Sequence, residues 1–285
     1  MVKKVVKEIR KFWWFGFWQK GEYILDNLHQ QRCQRNDDDY EVKRKVENPI
    51  YLDRFGYKVY SQNDEDGIIE EIFNRIGHTN KKFVEIGVQN GLESNGHFLL
   101  HKGWQGLWID GDKKMVAELR SLFKGPIEKE QLVALNSFIA LDNINQVVGV
   151  DGNYNGEIDL LSIDIDGNDY WIWNEIKCID PRVVVIEYNA KFPPTHEWVM
   201  EYDAKHIWQL DDEHGASLKS LELLGEKLGY QLVGTNVRGV NAFFVKKELC
   251  KDLFPQPATA ENLYNPARWN LQYISGHPSK KYIGK

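Results

Sequence analysis

Apolar positions along this chain switch repeatedly between strand-like and helix-like spacing, and the switches lay out an alternation of elements. Residues 83–86 are a short apolar run with the aromatic and β-branched content of a buried strand. The run leads into Glu85-Ile-Gly87-Val-Gln89-Asn-Gly91, where two glycines allow a tight turn and a close approach to a ligand. A helical stretch to about His101 follows, then a second apolar strand at 106–109 closed by Asp110. Upstream, Ile68, Ile69, Ile72, Phe73 and Ile76 have helical spacing before a stop at Gly77. Downstream, the pattern predicts a helix around 113–123, a strand at 131–135, and a short helix or loop over 142–150. A strand at 158–163, a helix over YWIWNEIK and a strand at 182–186 come next. Alternation of this kind argues for a parallel sheet. A helix ending at Gly229 then precedes two strands, 230–234 and 241–246, joined by a short polar turn as a terminal hairpin.

Two stretches break the alternation. In residues 1–18, Val2, Val5, Val6, Ile9, Phe12, Trp13 and Phe17 fall on one helical face and Lys3, Lys4, Lys7, Arg10 and Lys11 on the other. A basic amphipathic helix with a Trp/Phe cluster reads as an interfacial membrane contact, or as an arm packed on its own domain or a second subunit. Residues 19–48 are polar and read as a helix tail and linker. The segment 190–214 holds Lys191, Pro193, Pro194, His196, Trp198, Tyr202, His206 and Trp208. It is too long and aromatic for a plain connection and reads as a lid or acceptor wall. The domain division expected is therefore 1–48 arm and linker, 49–250 catalytic domain, and 251–285 surface wrap.

Composition narrows the class. A chain of 285 residues with 42% hydrophobic and 27% charged residues is ordinary for a globular protein. A net charge of −6 gives no general case for nucleic-acid binding. Cys33, Cys178 and Cys250 are scattered without metal-ligand spacing and read as reduced thiols. No run approaches the ~20 apolar residues of a membrane span, and no signal peptide is visible. The expectation is a cytoplasmic protein, with a peripheral place at the inner membrane face as the variant that residues 1–18 suggest.

The candidate chemistry lies at the predicted strand ends. A dinucleotide fingerprint wants a third, middle glycine, and here Gln89 stands in its place. Glu85 just before the loop would repel a pyrophosphate and suits a ligand carrying an ammonium group. Asp110 closes the second strand, where doubly wound sites place the acid that accepts from ribose hydroxyls. Ser61, Gln62, Glu65 and Asp66 crowd one loop upstream, as helix caps or as lining for the cofactor pocket. Asn136 and Ser137, after the third strand, are turn residues or neighbours of an adenine edge. Asp164, Asp166, Glu187 and Asn189 follow strands four and five, where open α/β sheets bind ligands. Asp169 reads as a cap of the helix that follows.

The segments YSQNDEDGIIEEIF, FVEIGVQNG, GWQGLWIDGD, LLSIDIDGNDYWIW, VVVIEYN and GASLKSLELLGEKLGYQLVGTNVRGVNAFFV span about 60–247. Taken in that order they resemble the FkbM-type branch of class I S-adenosylmethionine (SAM) methyltransferases. The loop departs from that branch's usual Asp-x-Gly-Ala-Asn-x-Gly, keeping only its spacing. The resemblance implies a Rossmann-like α/β sheet, mostly parallel, whose last strand is inserted antiparallel. It also implies that Glu85, Gly87 and Gly91 surround the cofactor's methionine part, Asp110 holds its ribose, Asn136 or Ser137 lies near adenine, and Asp164 sits beside the reactive methyl. Proteins of this kind commonly methylate hydroxyls of sugars in surface polysaccharides or glycosylated natural products. For an acceptor hydroxyl, Asp164, Asp166 and Glu187 are the candidate proton acceptors. With Asn189 they are also candidate ligands for Mg²⁺ or a similar hard ion. Two rival readings remain: a metal-dependent glycosyltransferase using Asp164-x-Asp166, and a non-catalytic SAM-fold assembly module.

Overall fold

Five strands run parallel: β1 (Lys82–Ile86), β2 (Gln105–Asp110), β3 (Leu132–Asn136), β4 (Gly156–Ile163) and β5 (Ile179–Glu187). A hairpin of β6 (Tyr230–Thr235) and β7 (Asn241–Lys246) completes one seven-stranded sheet in the order β3-β2-β1-β4-β5-β7-β6. β7 pairs antiparallel with both β5 and β6. This is the Rossmann-like, mostly parallel α/β sheet expected from the sequence, with its last strand inserted antiparallel. The structure is a computed structural model, and it describes residues 48–209 and 213–268. The expected arm at 1–18, almost all of the linker and the end of the C-terminal wrap lie outside those residues.

Strand alternation sorts the core into two layers. Val84, Ile86, Leu107, Ile109, Leu161, Ile163, Val184 and Ile186 face one side of the sheet. They pack against Ile172 and Trp173 of α4 (Asp169–Glu175) and Leu218, Leu221 and Leu224 of α5 (Leu218–Leu228). Phe83, Trp108, Leu160, Val183 and Val185 face the other side. There they meet Ile68, Ile69 and Ile72 of α1 (Glu65–Ile76), Leu99 of α2 (His97–His101) and Leu119 of α3 (Lys113–Leu122). Central strands buried on both faces need continuous apolar runs, and these supply them. Helix ends follow the local chemistry: Asp112 caps α3 by accepting from the Lys114 and Met115 amides, and Gly229 closes α5 in the left-handed conformation.

Two expectations shift. The helical stretch after Gly91 shrinks to α2, because the backbone before it is turned onto a carboxylate: Glu85 accepts from the amides of Asn95 and Gly96. Asp169 does not cap α4 in the usual sense. Its oxygens reach back to the amides of Ile165 and Gly167 at 2.9 Å and tie down the loop before the helix. Among the described residues, no helix is long and apolar enough to cross a membrane.

Candidate active site

The sheet order reverses between β1 and β4, and a cavity of about 890 Å³ opens at the carboxyl ends of the strands there. Its first half is built on β1 and β2. Gly87 stands at φ +90, and a Cβ on it would lie 1.6 Å from the carbonyl oxygen of Asp164. Only glycine lets the β1 end cross the β4 end so closely. Asp110 Oδ2 accepts from the Gln89 amide and Oδ1 from the Asp112 amide, both at 2.7 Å. Each oxygen therefore keeps acceptor capacity for a hydroxyl pair. Ser137, Phe138 and Ile139 line the same half, and Phe138 packs over Gly111.

Glu85 is buried and accepts from the Asn95 amide (2.6 Å), the Gly96 amide (2.9 Å) and Trp108 Nε1 (2.8 Å). Burial outweighs those three donors and pushes its carboxyl up to about 7. It is thus a structural brace as well as part of the cavity wall.

The second half gathers acids from β4 and β5. Asp164, Asp166 and Glu187 are each half-buried, and one oxygen from each lies within 4.8 Å of the others. Asp166 takes a left-handed φ of +54, rare outside glycine and asparagine-like residues, in a loop anchored by Asp169. Burial first, then the neighbouring charges of Glu187 and Asp166, raise Asp164 well above the ordinary carboxylate range. Burial, with Asp169 and Asp166 alongside, does the same to Glu187. Asp166 is raised by burial too, against the pull of His214 and His206. Crowded carboxylates of this kind hold protons or a cation at neutral pH.

The insertion covers this half. Asn168 Nδ2 donates to the Asp203 carbonyl at 2.7 Å, Trp171 Nε1 donates to the Met200 carbonyl at 2.8 Å, and His206 Nε2 lies 3.1 Å from the Asp166 carbonyl oxygen. His206, Ile207 and Trp208 reach the cavity. The ring of Phe192 instead stacks on His196 and Trp198 within the insertion.

The structure brings most of the residues singled out in the sequence to one place. Glu85, Gly87, Asp110, Ser137, Asp164, Asp166, Glu187 and Gln62 line the cavity. Three do not. Gly91 turns away, and a Cβ there would press on Trp108 at 2.7 Å and Phe123 at 3.0 Å, so its smallness serves aromatic packing. Asn136 donates to the Asp110 and Gly111 carbonyls and braces the turn. Asn189 donates to the His214 carbonyl and accepts from the Lys191 amide, which pins the base of the insertion and keeps it out of the acidic cluster. In the upstream loop, Asp66 accepts from the amides of Val59, Tyr60 and Ser61, and Glu65 takes the amide nitrogens of Asn236 and Asn241.

Sequence reasoning missed Asn241 and His214. Asn241 sits opposite Glu187 across the β5–β7 pair, is 2% exposed and lines the cavity. Its Nδ2 is committed to Glu65, leaving Oδ1 without a hydrogen-bond partner. Only the hairpin register reveals this position. His214 Nδ1 lies 3.8 Å from Glu187 Oε2, brought there by the fold of the insertion.

No protein-family model matches the sequence. No curated protein matches it either. Among solved structures it is similar to an O-methyltransferase from Bacillus cereus in complex with S-adenosylhomocysteine (SAH), at 14% identity over 74% of this chain and 91% of that one, TM-score 0.43. A SAM-dependent methyltransferase from Clostridium acetobutylicum gives 10% identity over 74% and 98%, TM-score 0.42. The N-terminal domain of EvdMO1, crystallised with SAH and D-fucose, gives 9% identity over 73% and 95%, TM-score 0.42. Likeness at this level carries no argument about activity, and the functional reading rests on the cavity itself.

Proposed function

We propose that this chain is a SAM-dependent O-methyltransferase acting on a hydroxyl of a sugar or glycoconjugate. The observation that carries the reading is continuity: one cavity joins Asp110 and the Gly87 turn to the cluster of Asp164 and Glu187. The residues present suit the cofactor. Asp110 retains acceptor capacity for a ribose diol, Phe138 and Ile139 offer an apolar wall for a base, and a volume of about 890 Å³ has room for a nucleoside ligand and an acceptor.

When bound, SAM supplies a sulfonium methyl for in-line displacement by the acceptor oxygen, the carbon–sulfur electrons leaving on sulfur. The chain's part is to align the hydroxyl and take its proton. Glu187 suits that task because burial and the neighbouring acids raise its affinity for protons, and its Oε2 has no hydrogen-bond partner. Calorimetric titration tests the cofactor: SAM and SAH should bind in the micromolar range, with no comparable affinity for NAD. Failure of both SAM and SAH to bind would end this reading.

A second version adds a divalent ion. It is favoured by the three carboxylate oxygens within 4.8 Å of one another, a set that suits Mg²⁺. Such an ion would acidify the acceptor hydroxyl. Methyl transfer in excess EDTA, followed by addition of Mg²⁺ or Mn²⁺, separates the two, and full activity in EDTA dismisses the ion.

A further inference from the structure

Phosphate groups bind α/β sheets through basic side chains or through backbone N–H groups left open at turns and helix starts. Among the described residues lining this cavity, the one basic side chain is His206, whose Nε2 lies 3.1 Å from the Asp166 carbonyl oxygen. Seven carboxylates line the cavity, and among the described lining residues there is no lysine or arginine. Many backbone donors at its turns are taken by acids of the chain. Asp110 holds the Gln89 and Asp112 amides. Asp112 holds those of Lys114 and Met115 at the start of α3. Asp169 holds those of Ile165 and Gly167, and Glu85 those of Asn95 and Gly96. Eight amides at these turns are thus held by the chain's own acids and are not open to a phosphate. The buried polar side-chain atoms still without hydrogen-bond partners on this wall are acceptors, Glu187 Oε2 and Asn241 Oδ1. A wall of carboxyl and amide oxygens with no lysine or arginine among its described residues suits hydroxyl groups better than phosphate oxygens.

Resting on the methyl-transfer reading, we infer that the acceptor enters this cavity free of phosphate. The class of reaction that supplies it is then a completed glycosyl transfer, one that has already released the sugar from its nucleoside diphosphate. Methylation follows that transfer and does not act on the activated sugar. The same lack of lysine or arginine among the described lining residues argues against the glycosyltransferase reading of Asp164-x-Asp166, which requires a diphosphate site.

A divalent ion on Asp164, Asp166 and Glu187 would offset part of their charge, so the test must run with and without one. Inorganic pyrophosphate and UDP-glucose are titrated calorimetrically into the full-length chain, alone and saturated with SAH, each in Mg²⁺ and in EDTA. The expected result is no saturable binding of either probe in any arm. Saturable binding of either probe, in any arm, overturns the inference. The arms without SAH decide the question even if SAH itself does not bind, an outcome that would sink the methyl-transfer reading separately.

Discussion

Asp110 and Glu187 line different halves of the cavity, one at the end of β2 and the other at the end of β5, and should fail differently when replaced. Asp110→Ala removes the acceptor for a ribose diol, and SAM affinity should drop by ~1.5–3 kcal/mol, as for charge-assisted hydrogen bonds. Calorimetry reads this directly, and equal affinity in both proteins would take Asp110 out of the site. Glu187→Gln removes one of three crowded charges whose burial already resists ionisation. Turnover should be lost while SAM binding is spared. Because the wild-type cluster is repulsive, the variant should also gain about 0.5–2 kcal/mol of stability at pH 7–8, as active-site neutralisations often do. A variant that keeps full turnover shows that another group takes the proton. Gly87 and Gly91 make the complementary point. They stand four apart in one loop with similar positive φ, yet one yields to a crossing strand and the other to two aromatic rings.

At the scale of elements, the strands and the site's general position were legible because buried strands carry continuous apolar runs and because acids at strand ends are conspicuous. β1, β2, β4, β5 and the final hairpin stand where the periodicity puts them, within a few residues at their ends. The sequence was silent wherever a side chain's role depends on a partner far along the chain. Asn189 looked like a fourth acid-edge ligand because it lies two residues after Glu187, but β5 ends at Glu187 and the chain has already turned into the insertion. Asn241, the residue that does face Glu187, is 54 positions away and is placed by hairpin register. The insertion shows the same dependence. Its hold on the loop after β4 rests on a reciprocal pair, Asn168 Nδ2 to the Asp203 carbonyl and the Asp203 amide to Asn168 Oδ1. Removing both bonds should cost about 1–3 kcal/mol locally. Asn168→Ala should therefore open the segment around 198–209 to limited proteolysis several-fold faster, with the global melting temperature little changed. Equal cleavage rates would mean that the Trp171 and His206 contacts hold the insertion by themselves.

Across the whole molecule, buried acids set how stability varies with pH, and Glu85 among them also lines the cavity. Glu85 is raised to about 7 by burial, and Asp64, raised by burial and then by the charge of Glu65, also reaches about 7. Their ordinary values are 4.5 and 3.8. In the unfolded chain both acids lose their protons near those values, whereas the folded chain retains them to about pH 7. Between the two limits the folded state binds more protons, so stability falls as pH rises, and the loss levels off above about pH 7. Asp159 works the other way. Although buried, it is held below its ordinary value by Arg182 and the amides of Thr79, Lys81 and Asn80, so its contribution is lost as pH falls through the acid range. The melting temperature should accordingly peak in mildly acid solution and decline toward pH 8. Asp64→Asn isolates one of the two acids: the amide oxygen can still accept from the Val237 amide, and there is no proton to lose. Melts of both proteins from pH 5 to 8 should show a flatter decline in the variant and a higher melting temperature at pH 8. Parallel curves would mean that Asp64 ionises without penalty in the folded chain and that the decline arises at the cavity.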